Sequence, residues 1–253
     1  MTDGTNTQYS KPEGEEGRLT LEHMNEHHAR LWDFCLSHMP KAMDGSVLDI
    51  GCGGGGFIRK LSERYPYALF YGLDISEESV GMTLELNSDL VDQGALKATV
   101  GDVCGIPYAD ASFDMVTAME TYFFWPDLEK GMSEAHRVLS EGGLFVIGSE
   151  MQANPGDEAF MEESLRECGC RLRYDSDIIA MMESAGFSVR MFSVPDERWV
   201  VFVGRRSERE RRGIVLLQLV GLRSQDDGVQ AVRPEYLLGQ LHDLVLRDCI
   251  DAG

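Results

Sequence analysis

Positive charge is scarce in this sequence. Its 253 residues hold 23 Lys and Arg against 43 Asp and Glu, giving a net charge of −20 and a pI near 4.6. Holding a polyanion relies on clustered basic side chains, so neither nucleic acid nor a membrane surface is expected as a partner. Long apolar runs are missing too. The longest, Ile214 to Leu222, falls well short of the roughly 20 residues that cross a bilayer. The first twenty residues are polar and contain no apolar signal-peptide core. Cysteine is thinly spread, at 35, 52, 104, 168, 170 and 249, without the density of a disulfide scaffold. No CxxC pair is present to complete a tetrahedral metal site around the CxC at Cys168 and Cys170. Together these absences predict a cytoplasmic protein with free thiols and no metal. Gly and Pro are modest while 43% of residues are apolar, which excludes a disordered or collagenous chain and leaves enough apolar side chains for a sizeable core.

The pattern that is present begins after a polar stretch, residues 1–17, that reads as a mobile lead-in. Leu21, Met24, His28, Leu31 and Cys35 then follow in steps of three and four, which predicts one helix from Leu19 to Met39, ended by Pro40. Apolar runs predict strands at Val47–Ile50, Ala68–Leu73, Ala98–Val100, Phe113–Ala118, Leu144–Ile147, Phe187–Phe192 and Trp199–Val203. Helical stretches separate most of them, at Phe57–Tyr65, after an N-cap at Ser76, at Asp127–Leu139 and at Asp175–Ala185. Alternation of this kind predicts an α/β fold: a doubly wound, seven-stranded, mostly parallel sheet with helices on both faces. The last two strands are separated only by a turn around Pro195-Asp196, so an antiparallel hairpin is expected at one edge.

The most informative stretch is VLDIGCGGGGF, from Val47 to Phe57. A strand running into glycines and then a helix lets backbone approach a ligand closely. Gly51, Gly53 and Gly56 satisfy GxGxxG, and Asp74 lies 23 residues beyond Gly51, where an acid can accept from ribose hydroxyls. The loop alone is ambiguous between a nicotinamide or flavin dinucleotide and another adenosine cofactor. Asp49, two residues before the glycines, is unfavourable beside a pyrophosphate and favourable beside an ammonium group. Asp102, Glu120 and Glu150 follow three further strands, at the sheet edge where open α/β sheets bind ligands. So many carboxylates suit a cationic adenosine ligand better than a dinucleotide.

Four blocks, VLDIGCGGGG, YGLDIS, GDVCGIPYADASFDMV and AHRVLSEGGLF, occur in order and at ordinary spacing over about residues 45 to 150. In these the chain resembles the class I S-adenosylmethionine-dependent methyltransferases, of the small-molecule group that includes the ubiquinone/menaquinone-biosynthesis type. The resemblance implies a Rossmann-like fold and an enzyme moving a methyl group from S-adenosyl-L-methionine to a small-molecule acceptor. It implies that Asp49, Gly51, Cys52, Gly53 and Gly55 surround the methionine moiety and that Asp74 binds the ribose. Ile75 would pack on the adenine and Asp102 would accept from the adenine amine beside Val103, with Glu120 at the sheet edge counted among the cofactor-binding residues. Gly54 and Gly56 depart from the bulkier residues common in that loop, and Ser140-Glu141 from the commoner Lys-Pro. The domains expected are a lead-in and lid helix over 1–46, a cofactor-binding core over 47–204, and an extension over 205–253 available for a homodimer contact.

A sulfonium methyl is already electrophilic, so transfer depends mostly on in-line alignment and exclusion of water. A base is needed only when the acceptor arrives protonated. Glu120, Tyr122 and His28 are the catalytic candidates. Glu120 and Tyr122 follow the fourth strand, where family members face substrate. His28, with Met24 and Asn25, either points from the lid helix into the pocket or is a core or solvent-facing histidine. Phe124 and Trp125 are expected to pack the next helix rather than meet the acceptor. His23 and His27 are spaced to share a metal but lack a visible third ligand, which favours a solvated face. Arg205, Arg206, Arg209, Arg211 and Arg212 alternate with acids and read as a solvated helix face. A dinucleotide oxidoreductase and a non-catalytic S-adenosylmethionine sensor are the competing readings.

Overall fold

The computed structural model describes residues 8–207. The remaining expectations for the extension, including the arginines from Arg209 onward, Cys249 and the homodimer contact, lie outside the described residues.

Two helices open the chain, α1 (Gly14–His27) and α2 (Ala29–Ser37), where periodicity predicts one. They part at His28, whose φ of −81° and ψ of 0° leave the α-helical region. The break lets α1 lie across the glycine loop while α2 packs against the sheet, with Cys35 beside Gly148. From residue 8 onward, the described part of the expected mobile lead-in is held at two points. Pro12 is buried, its carbonyl accepts from the Ser76 hydroxyl, and Arg18 reaches Glu85 at 2.6 Å.

The alternating part follows as β1 (Ser46–Ile50), α3 (Gly56–Arg64), β2 (Leu69–Asp74), α4 (Glu77–Leu86), α5 (Ser88–Asp92), β3 (Leu96–Val100) and β4 (Phe113–Met119). After these come α6 (Leu128–Val138), β5 (Leu139–Ser149), α7 (Glu158–Cys168), α8 (Asp175–Ala185), β6 (Phe187–Val194) and β7 (Trp199–Arg206). Ser76 caps α4 by accepting the Ser79 N–H, and Asp127 caps α6 by accepting the Lys130 N–H. The seven strands form one sheet in the order β3-β2-β1-β4-β5-β7-β6. All pairs are parallel except those of β7, which runs antiparallel to both β5 and β6. The hairpin is therefore at the edge, with β6 outermost. Order reverses between β1 and β4, and the crevice outside their carboxyl ends is where such sheets take ligands.

Successive strand residues alternate between two cores, as the period of two requires. Leu48, Val116, Phe145 and Ile147 face α6 and α8, while Val47, Met115 and Val146 face α2 and α3. Two elements run beyond expectation. β5 starts at Leu139 because the chain re-pairs with β4 on either side of a shift between Phe113 and Met115. β7 continues to Arg206, where Arg205 donates to Gly142 O at 3.0 Å and Arg206 donates to Leu139 O. These two arginines are sheet residues, not part of a helix face. Among the described residues no helix is long and apolar enough to cross a membrane.

Asp49 is buried within β1 and accepts the Thr117 hydroxyl at 2.6 Å. Burial, opposed by that bond, pushes its carboxyl up to about 7. The native state thus holds a proton that the unfolded chain, titrating near 3.8, has already released. Stability from this group is full below about pH 4 and is lost as pH rises toward 7. Chemical denaturation from pH 5 to 8 is expected to show a decline toward neutrality that flattens in Asp49→Asn. Equal pH dependence in the two proteins would remove the effect.

The start of α3 has no room for a side chain. A Cβ on Gly56 would sit 2.7 Å from Asn25 Oδ1 and 2.8 Å from the Trp32 ring. Gly56→Ala is expected to cost about 1–3 kcal/mol by forcing the first two helices away. Gly81→Ala, on an open face of α4 with nothing within 4 Å, is expected to stabilise by about 0.5–1 kcal/mol. Thermal unfolding of both variants checks the contrast.

Candidate functional site

The site starts from the turn at the end of β1. Gly51 N–H donates to Leu73 O at 2.7 Å, which ties the loop to the neighbouring strand. Gly51 has a φ of 71°, in the left-handed region, and a Cβ there would meet Thr121 Oγ1 at 2.3 Å, so only glycine fits. Asp74, at the end of β2, accepts Gly53 N–H at 3.0 Å through one oxygen and Ser76 N–H at 2.9 Å through the other. Burial raises its pKa against these bonds. Asp74 also lines the cleft above the loop, within reach of a ligand hydroxyl. From above, Asn25 on α1 donates to Gly54 O at 3.1 Å and accepts Gly56 N–H at 3.3 Å. The two glycines that depart from the common loop pattern are thus where the first helix docks.

A cleft with about 710 Å³ of open space lies over this loop. Gly51, Gly53, Asp74, Ile75, Asp102, Val103 and Glu120 line it, closed on one side by Tyr9, Pro12, Leu21 and Met24. No Lys, Arg or His is among its described lining residues. A pyrophosphate would meet three carboxylates and no counter-charge, whereas a cation would find its complement. Ile75 is half-exposed, leaving an apolar face for a ring. Asp102 accepts Cys104 N–H at 2.8 Å, which forms the short turn presenting Val103.

A second cleft, about 690 Å³, adjoins the first, and Tyr9, Met24, Glu120 and Phe124 line both. Its other walls include His27, His28, Phe123, Glu150, Met151, Cys168 and Cys170. Glu120 stands at the junction. Its φ of 55° is strained for a side-chain-bearing residue, and it is held there by its N–H to Gly148 O and by the Glu150 N–H donated to its carboxyl. Burial, and then the Glu150 charge, push the Glu120 carboxyl up to about 8. Burial alone would raise Glu150, but bonds from His28 and His27 outweigh it and lower that carboxyl.

Several sequence expectations fall elsewhere. Asp49, Cys52 and Gly55 line neither cleft: Asp49 and Cys52 are buried behind the loop, and Gly55 packs on Thr83 and Asn87. Tyr122, expected to face the acceptor, is 1% exposed within the core, where burial raises its hydroxyl pKa. Residues 122–124 form a tight 3-10 turn, and this sends Tyr122 inward and Phe124 outward. Trp125 packs against α6 at Gly131 as expected, and it and Phe124 also border the first cleft. Asn25 meets the loop rather than the pocket. Tyr9 and Pro12 carry no sequence expectation. The Pro12, Gly14 and Glu15-Glu16 order, a helix start with acids in its first turn, was the available signal.

Residues 48–147 match the methyltransferase domain family. A sarcosine/dimethylglycine N-methyltransferase from Halorhodospira halochloris is 30% identical over 122 residues, covering 48% of this chain and 43% of that one. A demethylmenaquinone methyltransferase from Deinococcus radiodurans is 32% identical over 112 residues, 44% of either chain. The chain spans less than half the length of these curated relatives. Geranyl diphosphate C-methyltransferase from Streptomyces coelicolor A3(2), solved in complex with Mg2+, geranyl diphosphate and S-adenosyl-L-homocysteine, shares the fold. Its TM-score is 0.60 at 14% identity, over 80% of this chain and 88% of that one. The cofactor of this family, S-adenosylmethionine, carries a sulfonium, an ammonium and an adenosine. The first cleft offers these groups carboxylates, a side-chain-free loop and the apolar faces of Ile75 and Val103. The domain match and this fit agree: over residues 48–147 the chain is similar to the S-adenosylmethionine-dependent methyltransferases, and the sheet is the one their solved structures share.

Proposed function

We propose that this protein transfers a methyl group from S-adenosylmethionine to a small-molecule acceptor bound in the second cleft. The observation that carries the reading is the first cleft: a glycine loop, Asp74, Asp102 and Glu120 on its walls, and no basic side chain among its described lining residues. When bound, the cofactor supplies an electrophilic methyl. Asp74 would accept the ribose hydroxyls, Asp102 the adenine amine with Val103 beside it, and Ile75 would cover the ring. Gly51 and Gly53 would admit the methionine moiety. Asp49, Cys52 and Gly55 would act from behind, by fixing the loop that does so.

Glu120, at the junction of the clefts, would orient the acceptor along the line of displacement, with His28 across the second cleft. Tyr9, Leu21 and Met24 would exclude water from the cofactor side, which is where the covering helix contributes to rate. Tyr122 would support the turn from the core. The net charge of −20 supports a small-molecule partner over nucleic acid. Free cysteines at 35, 52, 104, 168 and 170 support a reducing, cytoplasmic setting.

Incubation with methyl-labelled S-adenosylmethionine and a cell extract, followed by mass spectrometry of small molecules, is expected to yield a labelled product. Stabilisation by NAD(H) or NADP(H) with none by S-adenosylmethionine or its demethylated product would overturn the reading. Cofactor binding with no labelled product across a broad metabolite panel would leave a sensor instead. Asp74→Ala is expected to weaken cofactor binding by about 1–3 kcal/mol, the cost of hydrogen bonds lost from an ionised acceptor. Calorimetry measures it directly, and an unchanged affinity would take Asp74 out of the site.

A further inference from the structure

We propose that His27, His28 and Glu150 form a binding site for a divalent transition-metal ion of the zinc type on the wall of the second cleft. The break after α1 carries the geometry. Consecutive residues of a continuous helix point about 100° apart, so His27 and His28 would not converge on one point from unbroken helix. Here the chain leaves helical geometry at His28, and both Nε2 atoms approach the same carboxylate oxygen from the end of β5. His27 Nε2 lies 3.0 Å from Glu150 Oε1, and His28 Nε2 lies 3.5 Å from that oxygen. One donor atom from each of the three residues falls within 4.8 Å of the others.

The two nitrogen–oxygen separations are those of coordination edges. Metal bonds of about 2.0–2.1 Å to imidazole and carboxylate put neighbouring ligand atoms about 3.3 Å apart in a tetrahedron and about 2.9 Å apart in an octahedron. Two imidazoles and one carboxylate select zinc or a similar first-row ion over magnesium or calcium, which prefer all-oxygen sets. Among the described residues the set stops at three. Three protein ligands with an open position is the arrangement of a metal that meets a ligand rather than one that only staples a fold. All three residues line the second cleft, which gives a ligand there access to the ion. An acceptor with a hydroxyl, carboxylate or carbonyl oxygen would bind there. That last step rests on the proposed methyl transfer, whereas binding of the metal does not.

The histidine pair apparent in the sequence, His23 and His27, differs from this set. Its rings stack at 5.9 Å, and His23 is not among the three converging donors. The discriminating experiment uses the full chain, stripped with chelator and titrated with Zn2+ by calorimetry, and with Co2+ by visible absorption. One ion per chain is expected, with Co2+ bands of a low-coordinate nitrogen and oxygen site. H28A and E150Q are each expected to weaken binding at least tenfold and to remove the bands, while H23A leaves both unchanged. Circular dichroism and thermal unfolding confirm that each variant folds, and if one does not, the other decides. No stoichiometric binding, or binding that survives both H28A and E150Q, would overturn the site. Loss in H23A alone would assign the ion to the surface pair and equally overturn it. Neither outcome bears on whether labelled methyl transfer occurs.

Discussion

The carboxamide of Asn25 bonds to a stretch of glycine backbone at both of its ends, and much of the site depends on that contact. It donates to Gly54 O and accepts from Gly56 N–H, so the first helix is bonded to the loop it covers. Any larger residue at 56 would occupy the space of Asn25 and Trp32. Docking there brings Leu21 and Met24 over the first cleft and sets the break that turns His27 and His28 toward Glu150. On the opposite side Asp74 holds the same loop through Gly53, and Leu73 O holds it through Gly51. The loop is a preorganised surface, and its conformational cost is met on folding rather than on ligand binding.

Charge follows the same plan. Three acids at the sheet's carboxyl edge, Asp49, Asp74 and Glu120, are buried, and burial raises the pKa of each. No lysine or arginine among the described residues lines the first cleft to compensate them. Burial without counter-charge makes such acids hold their protons, and a cation beside the two that line the cleft, Asp74 and Glu120, would favour their ionised form. The most local part of the acidic composition is thereby connected to the ligand class.

Much of the fold was legible because the strands are short apolar runs bounded by glycine, proline and polar residues, and because caps at Ser76 and Asp127 mark helix starts. The acids that line the first cleft were legible for the same reason: each sits at or just past the end of a readable strand. The first helix was misread because Met24, His28 and Leu31 stay in helical phase across the break, so periodicity does not register it. Tyr122 and Phe124 exchanged places because three residues per turn, not 3.6, govern that segment. The lead-in looked mobile on composition, although Pro12 is buried by a partner 64 residues away in the chain. Glu150 as a companion of His27 was beyond reach, since 123 residues separate them and only the sheet brings them together.

The central claim is that the first helix and the glycine loop close one cofactor site together. Hydrogen–deuterium exchange of the full chain, with and without S-adenosyl-L-homocysteine, tests it most directly. Slower exchange is expected in two separate regions, residues 50–56 with 74–76 and 102–103, and residues 21–28 of the covering helix. Protection of the loop with no change across 21–28, or protection confined to other parts of the chain, would contradict the account.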